Sequence, residues 1–76
     1  MIELKKLVGK KVKLTDIDGY IYTATVSEYV FPEDNEPEEE SIVLDYPVRN
    51  DGYKYEDLIE FMASEIQSIE IISENR

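Results

Sequence analysis

LVGKKVKLTDIDGYIYTATV, residues 7–26, is the stretch whose reading decides the fold. Val12 and Leu14 alternate with lysine and threonine, the period of a half-buried strand. Asp18-Gly19 follows, a pair that can supply the positive φ values of a tight hairpin turn. The next run is rich in tyrosine, isoleucine, threonine and valine, which fit a pleated, half-buried surface. Its alternation places Tyr20, Tyr22, Ala24 and Val26 on one face and Ile21, Thr23 and Thr25 on the other. An antiparallel hairpin is predicted. Asp16-Ile17-Asp18-Gly19 also resembles the start of a calcium loop. With Gly19 at the sixth position, Leu14 and Thr25 would fill the first and twelfth, where carboxylates are required. The hairpin reading stands.

Upstream, Leu4, Leu7 and Val8 fall at i, i+3 and i+4, one apolar helical stripe. Gly9 suits a C-cap, and Lys5 and Lys6 suit the last turn. A short helix over about 2–8 is predicted, too short to stand without packing. Downstream, SIVLDYPV reads as a third strand closed by Pro47, and Asn50-Asp51-Gly52 as a second turn. The final stretch, YKYEDLIEFMASEIQSIEII, carries two periods. Leu58, Phe61, Met62, Ile66 and Ile69 make a helical stripe. Ile59 with Phe61, and Ile69 with Ile71, make strand alternations. Periodicity alone does not decide residues 56–66. Ile69 to Ile72 read as strand either way.

The chain of 76 residues suits one domain near the lower size limit for a self-sufficient core, where help from disulfides, metals or partner subunits is common. There is no cysteine and no histidine. Disulfides, thiolate zinc sites and the commonest general base are thereby excluded. No glycine-rich phosphate loop or nucleophile elbow is present, and the carboxylates cluster where the sequence is most hydrated. The expectation is a protein that is not an enzyme and carries no metal or cofactor. No apolar run reaches signal-peptide or membrane-spanning length, so a soluble cytoplasmic chain with no membrane contact is expected.

The net charge of −10 is unevenly placed. Residues 1–13 carry Lys5, Lys6, Lys10, Lys11 and Lys13 against Glu3. Residues 32–40 form an acidic loop holding Glu33, Asp34, Glu36, Glu38, Glu39 and Glu40. Such a loop suits an ion site, a docking surface or a solvated connection, but it has no recognised ligand spacing. An acidic chain is repelled by phosphate backbones, so RNA contact would fall to the lysine face. That face could equally meet the acidic loop of a neighbouring copy, or simply be solvated. The six tyrosines raise base stacking. Their alternation in Tyr20/Tyr22 and Tyr53/Tyr55 is better explained by half-buried strands.

The order of short helix, Val-Gly, hairpin with Asp-Gly, third strand and closing strands resembles the Sm-like (LSm) small β-barrel family. Residues 7–26 carry the likeness to that family's first motif, through Leu7, Gly9, Asp18, Gly19 and Ala24. SIVLD is similar to its third strand, and FMASEIQSIEI, with Ile66 and Ile69, to its second motif. The resemblance implies a mainly β, five-stranded Sm-like/SH3-like open barrel with a short N-terminal helix, and strands over residues 54–62. It implies a homo-oligomer, with Ile59, Phe61, Ile66, Ile69 and Ile71 in its interface or core. The family's RNA-reading asparagine and arginine-glycine pair are replaced here by Ser41 and Met62-Ala63. An interaction or scaffold role is therefore expected ahead of an RNA chaperone using the lysine face. The other alternative is an acidic protein that binds a basic partner as a nucleic-acid mimic.

Overall fold

The predicted hairpin forms, with β1 (Lys10–Asp16) against β2 (Ile21–Val30). Its register sets Val12 opposite Ala24 and Leu14 opposite Tyr22. The computed structural model describes residues 3–74. Tyr22, Ala24 and Val26 are buried, while Ile21, Thr23 and Thr25 are half-buried on the other face. The two-face reading of β2 holds from Tyr22 onward; Tyr20 sits before the strand and stays exposed. The turn differs in detail from the expectation. Only Gly19 takes a positive φ, of 91°. Its N–H donates to the Asp16 carbonyl at 2.9 Å, and the Asp16 N–H donates to the Tyr20 carbonyl at 2.9 Å. The loop is thus longer than a two-residue turn and ends on a left-handed glycine.

The N-terminal helix expected over 2–8 is a single 3-10 turn, Leu4–Leu7; Ile2 lies outside the described residues. With three residues per turn, Leu4 and Leu7 eclipse one another and both enter the core. Val8, the third member of the helical stripe, is left exposed. Gly9, at φ 87°, then turns the chain into β1 and donates its N–H to the Val26 carbonyl at 2.8 Å.

Three further strands complete one antiparallel sheet: β3 (Ser41–Arg49), β4 (Leu58–Met62) and β5 (Ile66–Glu74). The order is β4-β3-β2-β1-β5. Pro47 does not close β3, which runs on to Arg49. The ladder shifts register between Thr23 and Thr25 of β2, opposite Tyr46 and Pro47. There Pro47 needs no ladder hydrogen bond, and Tyr46 adopts φ 47°.

The helical period of residues 56–66 is not used. Pairing with β3 places Phe61 opposite Ile42 and Ile59 opposite Leu44. Pairing of β5 with β1 places Ile66, Ile69 and Ile71 opposite Asp16, Leu14 and Val12. A 3-10 turn, Ala63–Glu65, joins the two strands. The Glu65 carboxylate accepts the Met62 N–H at 2.8 Å, and its carbonyl accepts the Ile17 N–H at 3.1 Å. This turn therefore lies against the β1–β2 loop.

The core gathers Leu4, Leu7, Val12, Leu14, Val26, Ile42 and Leu44 around Tyr22 and Phe61. Phe61 and Ile66 are buried members of it. Ile59 and Ile69 pack against its margin, and Ile71 is exposed. No helix among the described residues is long and apolar enough to cross a membrane.

Candidate functional site

The acidic loop is built on a short 3-10 turn, Pro32–Asp34. The Asn35 side-chain amide donates to the Glu39 carbonyl at 2.7 Å and to the Ser41 hydroxyl at 3.0 Å. Ser41 passes a hydrogen bond on to Glu60 Oε2 at 2.6 Å. The Glu39 carboxylate accepts the Ser64 N–H, and Glu40 accepts the Tyr29 hydroxyl at 2.8 Å. The Ala63 N–H donates to the Glu40 carbonyl at 2.9 Å. Glu39 and Glu40 thus fasten the loop to the β4–β5 turn and are half-buried, whereas Glu33, Asp34, Glu36 and Glu38 are exposed. The bond to Glu40 favours the protonated hydroxyl and raises the pKa of Tyr29 above the usual tyrosine range. Among the described residues, no three carboxylates are placed to hold a metal ion.

Ser41 and Met62, at the positions where the resemblance puts RNA-reading residues, stand directly opposite one another. The fold brings these positions together without that chemistry. Ser41 is fully buried, and its hydroxyl is engaged by Asn35 and Glu60. Met62 supplies no cation.

The five lysines fall in different settings. Lys11 and Lys13 are exposed at alternate positions of β1, while Lys10 is half-buried. Lys13 stands opposite Glu70 of β5, an opposite-charge cross-strand pair. Lys5 and Lys6 are exposed on the N-terminal turn, with Lys6 3.9 Å from Glu3. That ion pair is solvated and contributes little. The remaining candidates sit on the two outer strands, where Leu58, Ile71 and Ile72 are exposed.

A buried polar hub was missed from sequence. Asp16 is only 8% exposed. Its Oδ1 accepts the N–H groups of Asp18 and Tyr20, each at 3.0 Å, and its Oδ2 accepts the Tyr22 hydroxyl at 2.9 Å. Burial, and next the Asp16 carboxylate, hold the Tyr22 pKa well above the usual tyrosine range. The signal for the bond from Asp18 is present in the sequence: an aspartate opening a turn commonly accepts the backbone N–H two residues on. The tyrosine bond required the strand register.

Beyond it, Arg49 chelates Asp51 through Nε at 3.0 Å and Nη2 at 2.9 Å. Its guanidinium lies 4.5 Å from the Tyr20 ring centre and 5.2 Å from that of Tyr53, and Nη1 donates to the Tyr55 hydroxyl at 3.2 Å. The hydrogen bonds from Arg49, and next that from the Tyr53 N–H, hold the Asp51 carboxyl below its usual range. Nothing in the local sequence pairs Arg49 with Tyr20; the ladder between β2 and β3 does.

A five-stranded antiparallel sheet in this order, preceded by a short turn packed on the core, is an Sm-like fold. The chain is similar to a solved structure described as a novel Sm-like archaeal protein from Pyrobaculum aerophilum, with TM-score 0.65 and 22% identity over 96% of this chain. It spans 49% of that structure's chain, about half its length. No family model and no curated protein matches.

Proposed function

We propose that this chain is a small Sm-like assembly module that joins copies of itself through the edges of β4 and β5, and serves as an interaction scaffold without catalytic activity. The observation that carries this reading is the strand order, which leaves β4 and β5 as the two outer strands of an open sheet. Each carries exposed apolar side chains, Leu58 on one and Ile71 and Ile72 on the other. An edge of unpaired N–H and C=O groups is a template for another strand, and apolar residues beside it add burial. Joining β4 of one copy to β5 of the next is a heterologous contact, which closes into a ring when the rotation permits. The RNA reading has weaker support, because Ser41 is sequestered and the acidic loop lies beside Met62-Ala63.

Light scattering on a sizing column, at low and moderate salt, tests the proposal. A discrete multiple of the chain mass is expected. Leu58→Glu and Ile72→Glu should each shift it toward monomer with an unchanged circular dichroism spectrum, since both positions are exposed in the protomer. A clean monomer across the concentration range refutes assembly.

A further inference from the structure

Between the β1–β2 loop, β4 and the turn before β5 lies a cleft of about 280 Å³. One wall is aromatic. Tyr22 sits between Phe61, at 4.9 Å between ring centres, and Tyr55, at 5.9 Å, with the rings tilted by 59° and 48°. Every charged residue lining the cleft is acidic. Besides the buried Asp16, these are the exposed residues Asp18, Glu60 and Glu65. Ser41 holds one oxygen of Glu60 and the Met62 N–H one oxygen of Glu65, so both carboxylates are positioned.

From this we infer that the cleft is a docking pocket for one lysine side chain of a basic peptide partner. Of the three rings only Tyr55 is half-buried, and aromatic surface of that kind attracts ammonium groups, while the carboxylates add a charge that repels anions. An apolar ligand would gain nothing from those carboxylates. A bare metal ion would make no use of the rings, and no carboxylate triad is placed to hold one among the described residues. The volume is below that of a drug-sized pocket and fits a single side-chain head. Ile17, which lines the cleft, is 63% exposed, the most exposed large apolar side chain described. An aliphatic stem ending in a charge would cover it, as lysine stems do. A lysine side chain brings one charge on one stem, whereas a free polyamine carries several charges that a cleft for a single head leaves outside. The pocket does not require assembly, so it stands or falls separately from the edge-pairing proposal.

The test is a titration of isotope-labelled protein with acetyl-Ala-Lys-Ala-amide at low salt, followed by backbone amide shifts. The same peptide with norleucine in place of lysine is the neutral control. Shifts should map to residues 16–22, 55 and 58–65, with the norleucine peptide at least tenfold weaker. Asp18→Asn combined with Glu65→Gln should weaken the lysine peptide at least fivefold. Tyr55→Leu should weaken it independently, and amide dispersion verifies the fold of each variant. Shifts confined to residues 33–38 would overturn the inference, as would an equal response to the norleucine peptide. Spermidine binding at the same residues as tightly as the peptide would also overturn it, by placing a free polyamine there.

Discussion

Tyr22→Phe isolates the buried hydrogen bond at the hub. The ring keeps its contacts with Phe61 and Tyr55, and only the hydroxyl that donates to Asp16 at 2.9 Å is lost. A hydrogen bond to a charged group contributes about 1.5–3 kcal/mol. Asp16 keeps its two backbone donors on Oδ1 while Oδ2 loses its donor, and the expected loss lies near about 2 kcal/mol. For a domain of this size each kcal/mol moves Tm by about 4–8 °C, giving a fall of about 8–16 °C. Urea unfolding followed by circular dichroism at pH 7, at one fixed protein concentration, measures the loss directly. A double-mutant cycle with Asp16→Asn should return a coupling energy above about 0.5 kcal/mol.

The alkaline limb provides a second reading of the same contact. Burial and the Asp16 carboxylate raise the folded-state pKa of Tyr22, whereas the unfolded chain loses that proton near pH 10. The stabilisation from this group is therefore full below about pH 10 and declines as pH rises further. Melts between pH 9 and about 11.5 should show a steeper fall for the native sequence than for Tyr22→Phe. A loss under about 0.5 kcal/mol at pH 7, with zero coupling and parallel alkaline limbs, would refute the hub as a stabilising contact.

Two further substitutions probe the core and the acidic loop. Phe61→Ala removes a ring that is 6% exposed and packed on Tyr22, and should cost about 3–5 kcal/mol in urea unfolding. A loss below about 1 kcal/mol would place Phe61 at an interface instead of the core. Asn35→Ala removes the side-chain bonds to Glu39 and Ser41, and should accelerate hydrogen exchange at the Ser64 amide with about 1 kcal/mol of stability lost. Unchanged exchange there would show that Glu39 holds the loop without Asn35.

Residues 7–26 show why part of the fold was readable. Val12, Leu14, Tyr22, Ala24 and Val26 lie on strands with one buried face, so the period of two appears in the sequence itself. Residues 56–66 were ambiguous because β4 spans only Leu58–Met62, too short for either period to dominate. The kind of the N-terminal turn is not legible in the sequence, because the i, i+3 spacing of Leu4 and Leu7 suits both helix types.

The local pattern by itself determined the hairpin, the two faces of its second strand and the uneven charge. These depend on neighbours within a few residues, which the sequence displays directly. Tertiary structure alone decided that Phe61 and Ile66 belong to the core while Ile71 stays exposed, and that Glu39 and Glu40 fasten a loop whose other carboxylates are solvated. It alone brought Tyr55 and Phe61 beside Tyr22. Those outcomes rest on pairings between residues far apart in the chain, and a long-range register leaves no trace in the periodicity of either partner.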